Sequence, residues 1–270
     1  MRGGTRKLMS LETCKTVLDH SVKYFAPEYL SPYNWSEPFL LDERLPDYIN
    51  LFAQYPIKLR ISSNMNKHLP DETVRLILRH AHLVVFSVSG VEQEIYKLYH
   101  RAGKIDQVMA NIRQFVRLRD ETNSETSLAW TFGRTRFNAS QEDPIRQFCA
   151  DNRIYFNPNR YYICDAEDLH KLYMGGDINP KIYAPFYESI EEARGEVRKM
   201  VTPRKCGLLV SDIVLDTDGY VMLCCATKIT TPVHITEITD ARQLTSTRLD
   251  NEFCNTCFNE GLAGYYGNVR

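Results

Sequence analysis

The chain has 270 residues, 43% hydrophobic and 25% charged, with a formal net charge of −1 and a pI of about 6.7. Such a composition excludes a disordered chain, and the charge balance excludes the broad basic field that holds a nucleic-acid backbone. No apolar run approaches the roughly 18 residues of a spanning helix, and the opening MRGGTRKLMS lacks the apolar core of a signal peptide, so neither nucleic acid nor membrane is expected as a partner and the cytoplasm is the expected compartment.

Residues 10–25, SLETCKTVLDHSVKYF, open on Ser10 as an N-cap and set Leu11, Cys14, Val17, Leu18, Val22 and Phe25 at helical spacing. Residues 29–35, YLSPYNW, read as a short strand running into Ser36-Glu37-Pro38, where proline punctuates. The chain then alternates: helix 43–54, strand 57–64 (IKLRISSN), helix 70–81, strand 82–89 (HLVVFSVS), one or two helices over 91–119 broken near Arg101-Ala102-Gly103, strand 127–134 (SLAWTFGR) and helix 141–152. Repeated strand–helix units predict an α/β fold with a parallel sheet, either doubly wound or a partial (β/α) barrel.

In both architectures the site lies at the carboxyl ends of the strands. Those ends supply Asn34, Ser36 and Glu37, then Ser62, Ser63 and Asn64, then Ser87, Ser89 and Gly90. Each alone is an ordinary turn or cap residue. Their recurrence predicts a polar pocket for a small charged ligand.

Residues 153–205 are less regular, rich in Tyr, Asn and Pro, with helical stretches near 165–173 and 188–200. They read as the remaining sheet edge passing into a linker, with Cys149 and Cys164 as structural thiols.

The tail, 201–270, carries five of the eight cysteines, in the pattern Cys206-x12-Gly219-x4-Cys224, then Cys254-x2-Cys257. In a reducing compartment such a cluster points to metal rather than disulfides. A Cys-x2-Cys pair on one tight turn, completed by two more thiolates, supplies the four-sulfur set of a zinc ion or an iron–sulfur cluster; the competing reading is ordinary buried thiols. Residues 208–216 and 220–225 alternate across Asp216-Thr217-Asp218-Gly219 as a hairpin. In a regular strand Cys224 and Cys225 face opposite ways, so Cys224 is the ligand chosen. Cys206 then falls about five residues past the position opposite Cys224, roughly 16 Å along an extended strand, and has to curl back. Residues 240–249 read as a short helix delivering Cys254 and Cys257.

Taken in order, YNWSEPFL (33–40), ISSN (61–64), VVFSVSG (84–90) with EIYKLYHRAG (94–103), and the terminal cysteine pattern resemble radical S-adenosylmethionine enzymes with a C-terminal SPASM-type auxiliary-cluster domain. The resemblance implies a partial (β/α) barrel of that type lacking its first strand over residues 1–200, and a small cysteine-rich domain with a β-hairpin over 201–270. It implies an S-adenosylmethionine pocket in which Trp35-Ser36-Glu37 stands for the family's Gly-Gly-Glu-like motif and Glu37 meets the methionine ammonium. Ser63 and Asn64 would line that pocket, while Ser87 and Arg101 would contact the methionine carboxylate. It implies one auxiliary 4Fe-4S cluster on Cys206, Cys224, Cys254 and Cys257, with zinc as the alternative. The implied substrate is a peptide or another small biosynthetic intermediate, and an electron-donor or partner protein is consistent with the family.

The family's Cys-x3-Cys-x2-Cys loop is absent, and Met1 falls about where that loop would have ended. The expectation is therefore an N-terminally truncated enzyme that does not generate the radical by itself, or else a non-catalytic binding module with a structural metal. No His-Asp-Ser or paired-carboxylate arrangement suggests independent hydrolytic chemistry.

Overall fold

A computed structural model describes residues 8–99, 103–160 and 163–267. The helices are α1 (Leu11–Phe25), α2 (Leu45–Phe52), α3 (Asp71–His80), α4 (Gln93–Tyr99), α5 (Ile105–Glu121), α6 (Glu142–Asp151), α7 (Ala166–Tyr173), α8 (Pro180–Tyr183), α9 (Ile190–Met200), α10 (Leu208–Ser211), α11 (Ala241–Leu249), α12 (Glu252–Glu260) and α13 (Ala263–Gly267). The strands are β1 (Tyr29–Leu30), β2 (Lys58–Ser63), β3 (Ala81–Ser87), β4 (Ser127–Arg134), β5 (Tyr155–Arg160), β6 (Tyr220–Met222) and β7 (Thr230–His234). Contacts divide the chain into two compact units, Pro27–Tyr161 and the pairing of Met1–Ala26 with Tyr162–Arg270. The division at residue 200 expected from the motifs follows their order in the chain, whereas this one follows packing.

The Pro27–Tyr161 unit is built on one five-stranded sheet in the order β1-β2-β3-β4-β5, every pair parallel. Right-handed crossovers that add strands without reversal leave the helices on one face. Accordingly α2 packs on α3 and α3 on α5. A doubly wound sheet requires a reversal of strand order, so the sheet is singly wound, as a barrel-type sheet is.

Strand alternation fills the helix-covered face with Ile61, Val84 and Leu128 in one row and with Ser63, Phe86, Trp130 and Phe156 in the next. Phe86 meets Phe115 of α5 edge-on at 5.9 Å, which fixes that row as the helix side. Ser62, Val85 and Ser87 alternate onto the other face.

Two expectations shift here. The first strand is two residues long rather than seven, because Pro32 ends the ladder and Glu37 caps a 3-10 helix over Pro38–Arg44 that is kinked at Asp42 (φ 54). The segment read as irregular contains β5, whose sequence YFNPNR carries Asn and Pro; the sheet edge tolerates them because one ladder is unpaired there.

In the other unit α1 buries Val17 against Val221, Ile235, Ile238 and Leu244, and a His20 ring nitrogen lies 2.6 Å from the Ile238 carbonyl oxygen. A second core joins Leu169, Leu172, Ala193, Val197, Ala226 and Tyr265.

The hairpin expected between 208–216 and 220–225 forms only at its tip. Gly219 takes φ +91, and the Asp216 side chain accepts from Asp218 N and Tyr220 N, each at 2.9 Å. Leu215 bridges Val221, but β6 takes β7 as its antiparallel partner, and Leu208–Ser211 is a helical turn. Consecutive leucines explain the change. Leu208 and Leu209 are both buried, which a two-faced strand cannot achieve at an edge and a helical turn can.

The Cys254/Cys257 pair lies on a helix, α12, rather than in a tight turn; Asn251 caps it and Gly261 closes it at φ +79. A Cβ on Gly261 would fall inside the backbone of Thr202 and Pro203. There Thr202 N donates to Gly261 O at 2.9 Å and Arg204 N to Phe258 O at 2.8 Å.

Candidate functional site

At the carboxyl end of β2, Glu37 is the centre of a small polar knot. Its Oε2 accepts from Asn64 N at 2.9 Å and its Oε1 from Phe39 N at 3.1 Å, and the Ser63 hydroxyl also donates to it. Burial raises the Glu37 pKa while these three donors pull it down. A carboxylate offers about four acceptor positions, so three donors leave one open.

Ser63 is 2% exposed on the helix face, and its Oγ also accepts from Met65 N at 2.9 Å. Met65 sits at φ 59, held by the Asn111 amide donating to its carbonyl at 2.8 Å. The Asn64 side chain accepts from Asn66 N at 2.9 Å. Tyr96 of α4 donates to the Asn64 carbonyl at 3.4 Å, and burial pushes its own phenol up to about 12. Ser36 is exposed; Ser87 lies half-buried at the end of β3, on the face opposite Ser63. Arg101 lies outside the described residues. The structure therefore joins Glu37, Ser63 and Asn64 directly and adds Tyr96, for which no sequence signal stood out beyond a tyrosine on a helix.

The second candidate is a small cavity of about 30 Å3. Its wall comprises Ala166, Cys206, Leu208, Leu209, Leu223, Cys224, Thr227, Phe253, Cys254, Cys257, Phe258, Ala263 and Tyr266. All four cysteines expected as ligands line it, delivered from just before α10, from just after β6 and from α12. Cys225 does not line it. Since β6 stops at Met222, Cys224 is oriented by a loop rather than by strand alternation. Cys14 and Cys149 lie buried on α1 and α6, where burial lifts their thiols to about 11 and about 12.

Burial, and then repulsion from neighbouring thiols, raises Cys224 and Cys257 to about 12 and Cys254 to about 11, and burial with the Asp212 charge raises Cys206. Backbone N–H groups oppose this. Leu208 and Leu209 donate to the Cys206 sulfur, Ala226 to Cys224 and Ala263 to Cys257. Amide donors aimed at sulfur favour the thiolate and are the kind of contact that tunes bound clusters.

Arg248 of α11 lies beside this wall, 0% exposed, and interacts electrostatically with Cys206, Cys224 and Cys254. The donor set suits a four-thiolate centre. Among the described residues, no group of three or more His, Cys, Asp or Glu side chains is gathered tightly enough to hold one ion directly.

Sequential parallel strands, helices on one face and a separate four-cysteine cavity define a singly wound, barrel-type α/β protein. Its fold is similar to that of Streptococcus suis SuiB. The SuiB structure bound to S-adenosylmethionine aligns over 100% of this chain with a TM-score of 0.56 at 11% identity. The one bound to precursor peptide SuiA aligns over 94%, with a TM-score of 0.58 at 12% identity. The chain spans 63% of the length of each SuiB chain. No protein-family profile and no curated protein sequence matches it. No helix among the described residues is long and apolar enough to cross a membrane.

Proposed function

We propose that this chain is a radical S-adenosylmethionine/SPASM-type protein that binds S-adenosylmethionine at the strand ends, holds an auxiliary metal centre in its cysteine cavity, and acts on a peptide or another biosynthetic intermediate. The observation that carries the reading is the meeting of Cys206, Cys224, Cys254 and Cys257 on one cavity wall, in a chain whose whole length follows the SuiB fold. SuiB is bound to S-adenosylmethionine in one structure and to its precursor peptide in another, which supports the same two ligand classes here.

In this reading the open acceptor position on Glu37 receives the methionine ammonium, Ser63 and Asn64 N hold the carboxylate in place, and Tyr96 braces the Asn64 backbone. Ser87 and Arg101 meet the methionine carboxylate. An ammonium needs an anion and a carboxylate needs a guanidinium or hydroxyl, so the residue types match the ligand. The four cysteines hold a 4Fe-4S cluster, which when bound supplies electron relay or a contact to substrate. The chain's own part is to supply the thiolates, to exclude water with the leucines and phenylalanines of the wall, and to direct amide N–H groups at sulfur.

No Cys-x3-Cys-x2-Cys occurs among the 270 residues. Cofactor binding, substrate binding and the auxiliary centre are therefore assigned to them, and the reductive cleavage is not.

Anaerobic purification followed by iron, sulfide and zinc analysis, together with calorimetric titration of S-adenosylmethionine, tests the reading. One four-iron cluster per chain and saturable binding are expected. A colourless protein with one zinc removes the redox role, and absence of S-adenosylmethionine binding overturns the strand-end assignment.

A further inference from the structure

Arg248 is the most completely buried charge among the described residues, and no carboxylate oxygen accepts a hydrogen bond from it. Its Nε donates to Met222 O at 3.3 Å, Nη1 to Leu208 O at 3.2 Å and Leu209 O at 3.0 Å, and Nη2 to Asp212 O at 2.7 Å. All four acceptors are neutral carbonyls. A buried guanidinium satisfied in hydrogen bonds but not in charge is costly, and such groups persist where an opposite charge stands nearby. The ionisable groups that face it are Cys224, Cys254 and Cys206 of the cavity and the single carboxylate of Asp212. Four thiolates around a zinc ion or around an oxidised four-iron cluster make a doubly negative centre in either case.

The four carbonyls also have positional meaning. Leu208 and Leu209 follow Cys206, and Met222 precedes Cys224. α11, which carries Arg248, runs into α12 with Cys254 and Cys257. One side chain thus ties together the three segments that deliver all four cysteines.

We infer that Arg248 is the positioning and charge-balancing residue of the four-cysteine centre: its fork fixes the backbone that presents Cys206 and Cys224, and its positive charge offsets the anionic metal–thiolate unit. The inference rests on the reading of these cysteines as a metal centre.

The test compares wild type with R248K, which keeps the charge but loses the planar fork, and R248Q, which loses both. Each protein is loaded anaerobically with iron and sulfide or with zinc. Metal content, release rate to a chelator and, for iron, the midpoint potential of the cluster are then read. R248K is expected to release metal roughly ten-fold faster than wild type with the potential little changed. R248Q is expected to release it faster again, with a more negative potential, because a removed positive charge disfavours the reduced state.

R248K and R248Q indistinguishable from each other in potential and release overturns the charge-balancing role. R248K indistinguishable from wild type in release overturns the positioning role, and this arm stands even if R248Q does not fold. Failure of the metal reading itself looks different: folded wild type then takes up neither iron nor zinc, and the inference falls with it.

Discussion

Each candidate site withdraws one charge from water, and the two are met in different ways. Glu37 carries a negative charge into the strand-end knot, where two backbone amides and the Ser63 hydroxyl meet it. Arg248 carries a positive charge to the cysteine wall, where its hydrogen bonds go to neutral carbonyls and its charge faces three cavity thiols and the Asp212 carboxylate. A charge met by local donors can be explained as a cap, and Glu37 does cap the 3-10 helix that follows it. The difference teaches that the strand-end charge is accounted for by its own neighbouring backbone, whereas the charge at the cysteine wall faces thiols delivered from distant segments.

The largest effect that would break this contrast is loss of metal. Cys254→Ala or Cys257→Ala is expected to remove essentially all bound metal, read by elemental analysis, while leaving S-adenosylmethionine affinity intact. Retention of full metal content in both variants would end the four-ligand assignment.

Next in size is Gly261→Ala. A side chain at φ +79 that also strikes the Thr202–Pro203 backbone is expected to cost roughly 3 kcal/mol or more. A thermal melt would show it, and a melt within a degree or two of wild type would contradict the packing.

Glu37→Gln sharpens the other side of the comparison. Losing a charged hydrogen bond to an ammonium is expected to weaken S-adenosylmethionine binding by roughly ten-fold or more, measured by titration calorimetry.

The smallest effect is the pH dependence of stability at the same position. Burial raises the folded-state pKa of Glu37, so the ionised form burdens the fold at neutral pH. The contribution is favourable below the unfolded carboxylate range and is lost as pH rises through the raised value. Any stability advantage of Glu37→Gln at neutral pH should therefore shrink on acidification, as denaturant titrations at several pH values would reveal.

Much of the sheet was legible because period-two apolar runs bounded by helices fix strand positions. β2, β3 and β4 fall within two residues of expectation. β5 was not legible, since Asn and Pro in YFNPNR mask a strand that the sheet edge tolerates. The cysteine set was legible by identity, because ligand spacing survives in sequence, but its setting was not. Leu208 and Leu209 read as strand residues until burial required both of them inside. Arg248 carried no signal at all, being one arginine on a short polar helix, and its meaning lies in four carbonyls from distant segments. Tyr96 and Asn111 were hidden for the same reason: each acts on a backbone carbonyl, at Asn64 and at Met65, and sequence pattern does not register such contacts.

The backbone tie at Gly261 bears on the order in which the cysteine centre assembles. Thr202 and Arg204 bond to the end of α12 through peptide groups alone, four and two residues ahead of Cys206. Closing the chain between Cys206 and Cys257 is therefore carried in part by peptide hydrogen bonds. Metal arriving afterwards has only side chains to organise, so its uptake should rise in proportion to metal concentration rather than wait on a slow refolding step.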